Sequence, residues 1–154
     1  MTHQLTDPWT FYYIISNSNN PLLDGLHRLG RFESVEQFWD LYRNIKRPSV
    51  APDIEIGLFT KNFKLDKSDP VYSDGGLLVV PIPKELLDIQ WERLIMNAIG
   101  SNLDKSIVGV STRFDKEVVW IWCINMRLMD FVEDNIVDVL GIDDDVTITR
   151  SPMQ

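Results

Sequence analysis

Cysteine is nearly missing from the sequence: Cys123 is the only one in 154 residues. One thiol excludes a disulfide framework and a cysteine-based zinc site, and it suits a reducing compartment. Histidine is almost as scarce. His3 and His27 lie far apart, so no paired metal-binding motif exists and no metal is expected. No apolar run approaches the roughly 18 residues of a membrane span, and no basic-then-apolar secretion signal opens the chain. A cytoplasmic protein without a membrane partner is the expectation. Basic residues are in deficit too, 15 against 23 acidic ones for a net charge of −8. That balance argues against the cationic surface that holds DNA or long RNA, so a nucleic-acid ligand should be short and gripped by local cations and stacking. Walker and Gly-rich dinucleotide loops are absent, and Cys123 has no neighbouring base. It reads as a small core residue. The chain is not expected to be an enzyme or to carry a cofactor.

What is present is apolar and aromatic: 44% hydrophobic residues, including five Trp. At this length one domain over 1–154 is expected, with 1–8 as an N-terminal arm. The segment "RFESVEQFWDLYRNIKRP" holds the clearest local signal. Ser34 followed by Gln37 is a capping box, so a helix begins at about Val35. Val35, Phe38, Leu41, Tyr42 and Ile45 share one face of it, and Trp39 sits on the shoulder of that stripe. Strands are expected over 9–16, 54–59, 77–83, 106–114 and 117–123, with a hairpin at Asp115-Lys116 and a loop over 17–31. Pro81 places the third of these at an edge or a strand end. Leu87, Trp91, Leu94, Ile95, Ala98 and Ile99 predict a second helix, stopped by a left-handed Gly100. A third helix over 126–140 ends at Gly141, and Asp143, Asp144 and Asp145 read as a solvated turn. Hairpins dominate over strand-helix-strand alternation, so the fold class is α+β, an antiparallel sheet with helices on one face.

"HQLTDPWTFYY", "RFESVEQFWDLY", "GLF", "VGVSTRF", "VVWIW" and "NMRLMDFVEDNIVDVLGI" resemble, in that order and over nearly the whole chain, the cap-binding translation initiation factor 4E family. The resemblance implies a curved antiparallel β-sheet backed by three α-helices on its convex face. It implies a concave pocket for the 7-methylguanosine of a capped mRNA 5′ end, in a monomer that binds no DNA. It also implies a dorsal patch for the amphipathic helix of a scaffold initiation factor or repressor. His3, Leu5, Val35 and Trp39 match that patch, and Trp91, Leu94 and Ile95 lie on or near the helix that completes it. Trp39 packed under a loop is the alternative. Arg93 stands where the family has an acid, which would turn away a basic partner residue.

A cap pocket needs two aromatic planes around a cationic base, a carboxylate for its N–H donors and cations for the phosphates. By the resemblance the first ring falls on Leu22, which is no aromatic. The second falls on Tyr72 with Asp74 as the acid if the loop gap is shifted, and on Lys67 if it is not. Arg113 matches the phosphate side, Lys116 on the hairpin tip is the candidate second cation although the family's lysine falls on Val118, and Trp122, with Trp120 on the same strand face, lines the pocket; that face as a plain core wall is the alternative. The expected function is cap binding in translation initiation, with a protein-binding adaptor or repressor of weak or lost cap affinity as the second reading.

Overall fold

The Ser34 cap forms as its chemistry dictates. Its hydroxyl oxygen accepts the Gln37 backbone N–H at 3.2 Å, and the Gln37 side-chain oxygen accepts from Glu33 N–H at 2.8 Å. Helix α1 (Val35–Tyr42) follows, with Phe38 wholly buried on its sheet-facing side. The computed structural model describes residues 2–16, 20, 22 and 24–153. Most of the turn "NSNNP" lies outside the described residues.

The strands among the described residues are, in chain order, β1 (Gln4–Ile15), β2 (Gly25–Ser34), β3 (Glu55–Thr60), β4 (Gly76–Pro81), β5 (Ile107–Arg113), β6 (Val118–Cys123) and β7 (Thr149–Pro152). They form one curved sheet in the order β2-β1-β3-β5-β6-β4-β7, every neighbouring pair antiparallel. Helices α2 (Lys84–Ile99) and α3 (Met129–Leu140) complete the fold. No helix among the described residues is long and apolar enough to cross a membrane.

Strand alternation sorts the side chains onto two faces. Phe11, Leu58, Val110, Ile121 and Leu78 stand opposite one another across five strands, each wholly buried. This row meets Leu87, Trp91, Leu94 and Ile95 of α2 and Val132, Ile136 and Leu140 of α3 in the main core. All three helices therefore cover one side. The other side holds a smaller, ring-rich cluster around Tyr12, Phe59, Tyr72 and Trp122, roofed by the 61–75 segment instead of a helix. Gly109 makes that packing possible, because a Cβ there would fall inside the Phe59 ring.

Several expectations are corrected here. Residues 25–31, expected in a loop, belong to β2; they pair with β1 through backbone groups while most of their side chains stay exposed, which removes the apolar alternation that marks a strand. The expected arm is strand from Gln4, joined to the rest of β1 across a register shift between Gln4 and Trp9. Gly100 is not left-handed (φ −81°); Ser101 takes the positive φ instead. Residues 126–128 form a 3-10 turn before α3, and the expected hairpin tip is a 3-10 turn over Phe114–Lys116 closed by left-handed Glu117. Gly141 caps α3 in the left-handed conformation (φ 63°), as its position predicts.

Candidate functional site

On the hollow side of the sheet, β3 contributes Glu55, β5 contributes Ser111 and Arg113, and β6 contributes Trp120 and Trp122. Register sets Gly57 opposite Ser111, and Ser111 opposite Trp120. The Trp122 indole N–H donates to Ser111 Oγ at 3.0 Å, and the Phe59 ring meets Trp122 edge-on at 4.8 Å. These contacts lock Trp122 at 1% exposure. Beside it opens a hollow of about 340 Å³, lined by Ile14, Glu55, Leu65, Lys67 and Trp122 among others. That volume lies in the range of small-ligand sites.

Tyr72 is not an open stacking ring, and that expectation is corrected. Asp69 accepts the Val71 N–H at 3.0 Å and starts a 3-10 turn over Pro70–Tyr72 that swings the ring inward to 0% exposure. The hydroxyl donates to Lys64 O at 2.6 Å and the ring lies 5.2 Å from Trp122. Burial holds the phenol well above its ordinary pKa. Lys67 lines the hollow in its place, which is the ungapped reading of the loop. Asp74 is exposed in the turn before β4, where its carbonyl accepts from Met126 N–H at 2.9 Å; it does not line the hollow. Leu22 is 88% exposed.

The cations sit along the β5–β6 end. Arg113 donates through Nε and Nη2 to Asp115 at 2.7 and 3.0 Å, and Lys116 is exposed on the adjoining turn. Trp120 is half-buried on the same face as Trp122. Glu55 is the acid that sequence reasoning missed. Its carboxyl is pushed up by burial, opposed by hydrogen bonding to Ser111 and by Lys67 and Arg113. Only its place in a strand otherwise read as core-forming marked it.

On the helical side, Trp39 is 41% exposed and braced edge-on by Phe38 (5.1 Å) and Tyr42 (6.0 Å). His3 joins it: its carbonyl accepts from Val35 N–H at 2.9 Å, and its backbone N–H and ring nitrogen bond the Glu36 carboxylate, which lowers that acid's pKa. Leu5 and Val35 are half-buried there. Trp91, Leu94 and Ile95 are buried in the main core at 1% exposure or less, so their place in a docking surface is corrected. Around these buried positions α2 turns Glu92, Arg93 and, partly, Met96 outward, and Leu86 and Ile89 are exposed nearer its start. Glu92 accepts from the Tyr42 hydroxyl at 3.2 Å at the seam with α1, and Arg93 reaches back to Gln90. The acid thus faces Trp39's helix, and Arg93 lies exposed beside it.

No group of three His, Cys, Asp or Glu fit to hold a metal occurs among the described residues. Cys123 is a buried core thiol on β6.

Comparison with known proteins agrees with this arrangement. The family described as eukaryotic initiation factor 4E matches residues 4–150. The eukaryotic translation initiation factor isoform 4E-2 of Oryza sativa subsp. japonica is 32% identical over 129 residues, 77% of this chain and 63% of that protein. Factor 4E-1 of Arabidopsis thaliana is 30% identical over 132 residues, 80% of this chain and 56% of that one. The chain therefore spans little more than half the length of these relatives. Among solved structures, Ascaris suum eIF4E-3 in complex with an m2,2,7G cap superposes with a TM-score of 0.86 at 26% identity, covering 100% of this chain and 93% of that one. C. elegans eIF4E-3, solved with the 4E-binding protein Mextli and a cap analog, shares the fold at a TM-score of 0.85 and 24% identity, over 99% and 93% of the two chains. With the family match running from the first strand to the last, the chain belongs to the eukaryotic initiation factor 4E family.

Proposed function

We propose that this chain binds the 7-methylguanosine cap of an mRNA 5′ end on its hollow face, and docks an amphipathic partner helix on its back, as a cytoplasmic, non-enzymatic translation initiation factor. The observation that carries the reading is the family match over 4–150 together with a ligand-sized hollow beside Trp122, with Arg113 on the same sheet face. The Ascaris relative, solved with a cap, supports the same ligand class. Arg113 and Lys116 supply charge for the phosphates, the half-buried Trp120 supplies flat surface for the base, and the buried Trp122 is the floor beneath the hollow. On the back, Trp39 is the anchor, flanked by Leu5, Val35 and Met96, with Glu92 offered to a cation on the partner; the partner helix is one carrying a tyrosine and two apolar residues.

Retention on 7-methylguanosine resin, with elution by free cap analogue and not by GTP, is the expected result. Indifference to both ligands overturns the cap reading. The burial of Tyr72 favours a second reading, a 4E-like adaptor or repressor with lost cap affinity. Under it the resin fails while capture of a partner helix survives and is abolished by Trp39→Ala.

A further inference from the structure

In a chain of net charge −8, Lys46 and Arg47 stand side by side shortly after α1, and both are exposed. They precede Ser49 by three and two residues, and Val50 follows it; no other serine or threonine of the sequence has cations at both of those positions. Ser34 has Arg31 three residues before it, but its hydroxyl caps α1 and the residue is 3% exposed. Ser49 instead lies exposed in a 3-10 turn over Pro48–Val50, with Pro48 buried and Val50 55% exposed. Arg47 enters that turn with an extended backbone (φ −63°, ψ 154°). Paired cations ahead of a hydroxyl, with an apolar residue behind it, are the charge pattern by which one class of protein kinases chooses its substrates.

The same hydroxyl closes a latch. Ser49 N–H donates to one carboxylate oxygen of Asp88 on α2 at 3.1 Å, and Ser49 Oγ donates to the other at 2.5 Å. Asp88 and Glu92 lie one helical turn apart, and both bear on the Tyr42 hydroxyl, whose pKa is raised first by burial and then by Glu92 and Asp88. Tyr42 stacks on Phe38 at 5.1 Å and meets Trp39 edge-on. The latch therefore ties the segment trailing from Trp39's helix to α2, beside the seam where the two helices meet. A phosphate on Ser49 removes the proton that Asp88 accepts and sets a charge of about −1.5 to −2 against that carboxylate at neutral pH.

We infer that Ser49 is a phosphorylation site for an ATP-dependent protein kinase of the basic-directed class, and that its phosphate unlatches the Pro48–Val50 turn from α2. In the transfer, Ser49 Oγ bonds to the γ-phosphorus of ATP, the bond from that phosphorus to the β–γ bridging oxygen breaks, ADP leaves, and the hydroxyl proton passes to the kinase's carboxylate base. Neither the transfer nor the unlatching depends on a ligand in the hollow.

The full chain, incubated with ATP and the catalytic subunit of cyclic-AMP-dependent protein kinase, is expected to gain a phosphoryl group that peptide mass mapping locates at Ser49 and that Ser49→Ala does not acquire. The double change Lys46→Gln with Arg47→Gln should slow labelling by roughly tenfold or more. The labelled chain should melt below the unlabelled one and exchange its 47–51 amide hydrogens faster, and Asp88→Asn should shrink the difference in melting temperature. No labelling, labelling that maps to another residue, or an undiminished rate without the two cations overturns the site. Equal melting and exchange before and after labelling, or a difference that Asp88→Asn leaves unchanged, overturns the latch. Because the phosphate is mapped on the parent chain, a Ser49→Ala that failed to fold would not alter the outcome.

Discussion

On the helical side of the sheet Trp39 stands 41% exposed between Phe38 and Tyr42, whereas on the hollow side Tyr72 and Trp122 are sunk and the lining includes Glu55 and Lys67. Both faces are rich in rings, yet Trp39 is exposed on the helical side whereas Trp120 is half-buried on the hollow side. Trp39 is held by those two rings, so the docking proposed for it would order little that is not already ordered. The hollow instead sets the charged side chains of Glu55, Asp66 and Lys67 beside the buried Trp122 ring.

The sharpest way to break this contrast is to remove a ring from each place. Trp91→Ala and Tyr72→Ala should each cost about 3–5 kcal/mol in urea unfolding, because both empty a filled site. A loss below about 1 kcal/mol for Tyr72→Ala would mean the ring is open to ligand, and the two faces would be alike. Next in size is Gly109→Ala, whose new Cβ would invade the Phe59 ring; overpacking of this kind costs about 1–3 kcal/mol. A second change, Phe59→Leu, should recover part of the lost melting temperature, and no recovery would place the strain elsewhere. Trp39→Ala should alter stability by no more than about 0.5 kcal/mol while abolishing partner-helix capture. A large fall in melting temperature would make Trp39 a core residue.

The smallest expected effect concerns the clasp at the head of α1. The His3 backbone N–H holds the Glu36 carboxyl below its ordinary value of 4.5. The stabilisation is therefore present above that value and lost as pH falls through the lowered one. Melting temperatures of the parent and of Glu36→Gln should differ slightly at neutral pH and converge in acid. Curves that stay parallel would remove the carboxylate from the clasp.

Where local chemistry decided the outcome, the chain could be read directly. Ser34 and Gln37 placed the start of α1, Gly141 its counterpart at the end of α3, and the shoulder position of Trp39 foretold its exposure. Strand β2 was illegible because an edge strand pairs through its backbone while its side chains face water, leaving residues such as His27, Arg28 and Arg31 to suggest a loop. Tyr72 was misplaced for a different reason. The Asp69-Pro70 turn sets the direction of the ring, and alignment by residue type looks past that turn. Glu55 escaped notice because a carboxylate gains meaning only from neighbours on β1, β5 and the 61–75 loop, none of them adjacent in sequence.

The two margins of the sheet bear on how it could grow. The outer rim of β2 bears Arg28, while the Arg31 guanidinium turns inward, donating to Lys61 O at 3.3 Å and lying 3.9 Å from the Glu33 carboxylate. The opposite rim of the sheet, β7, is only four residues long and finishes in Pro152. A second copy adding itself along β7 would find few backbone groups to pair with, and no N–H on Pro152. Growth of the sheet by stitching copies edge to edge is thus opposed at that margin.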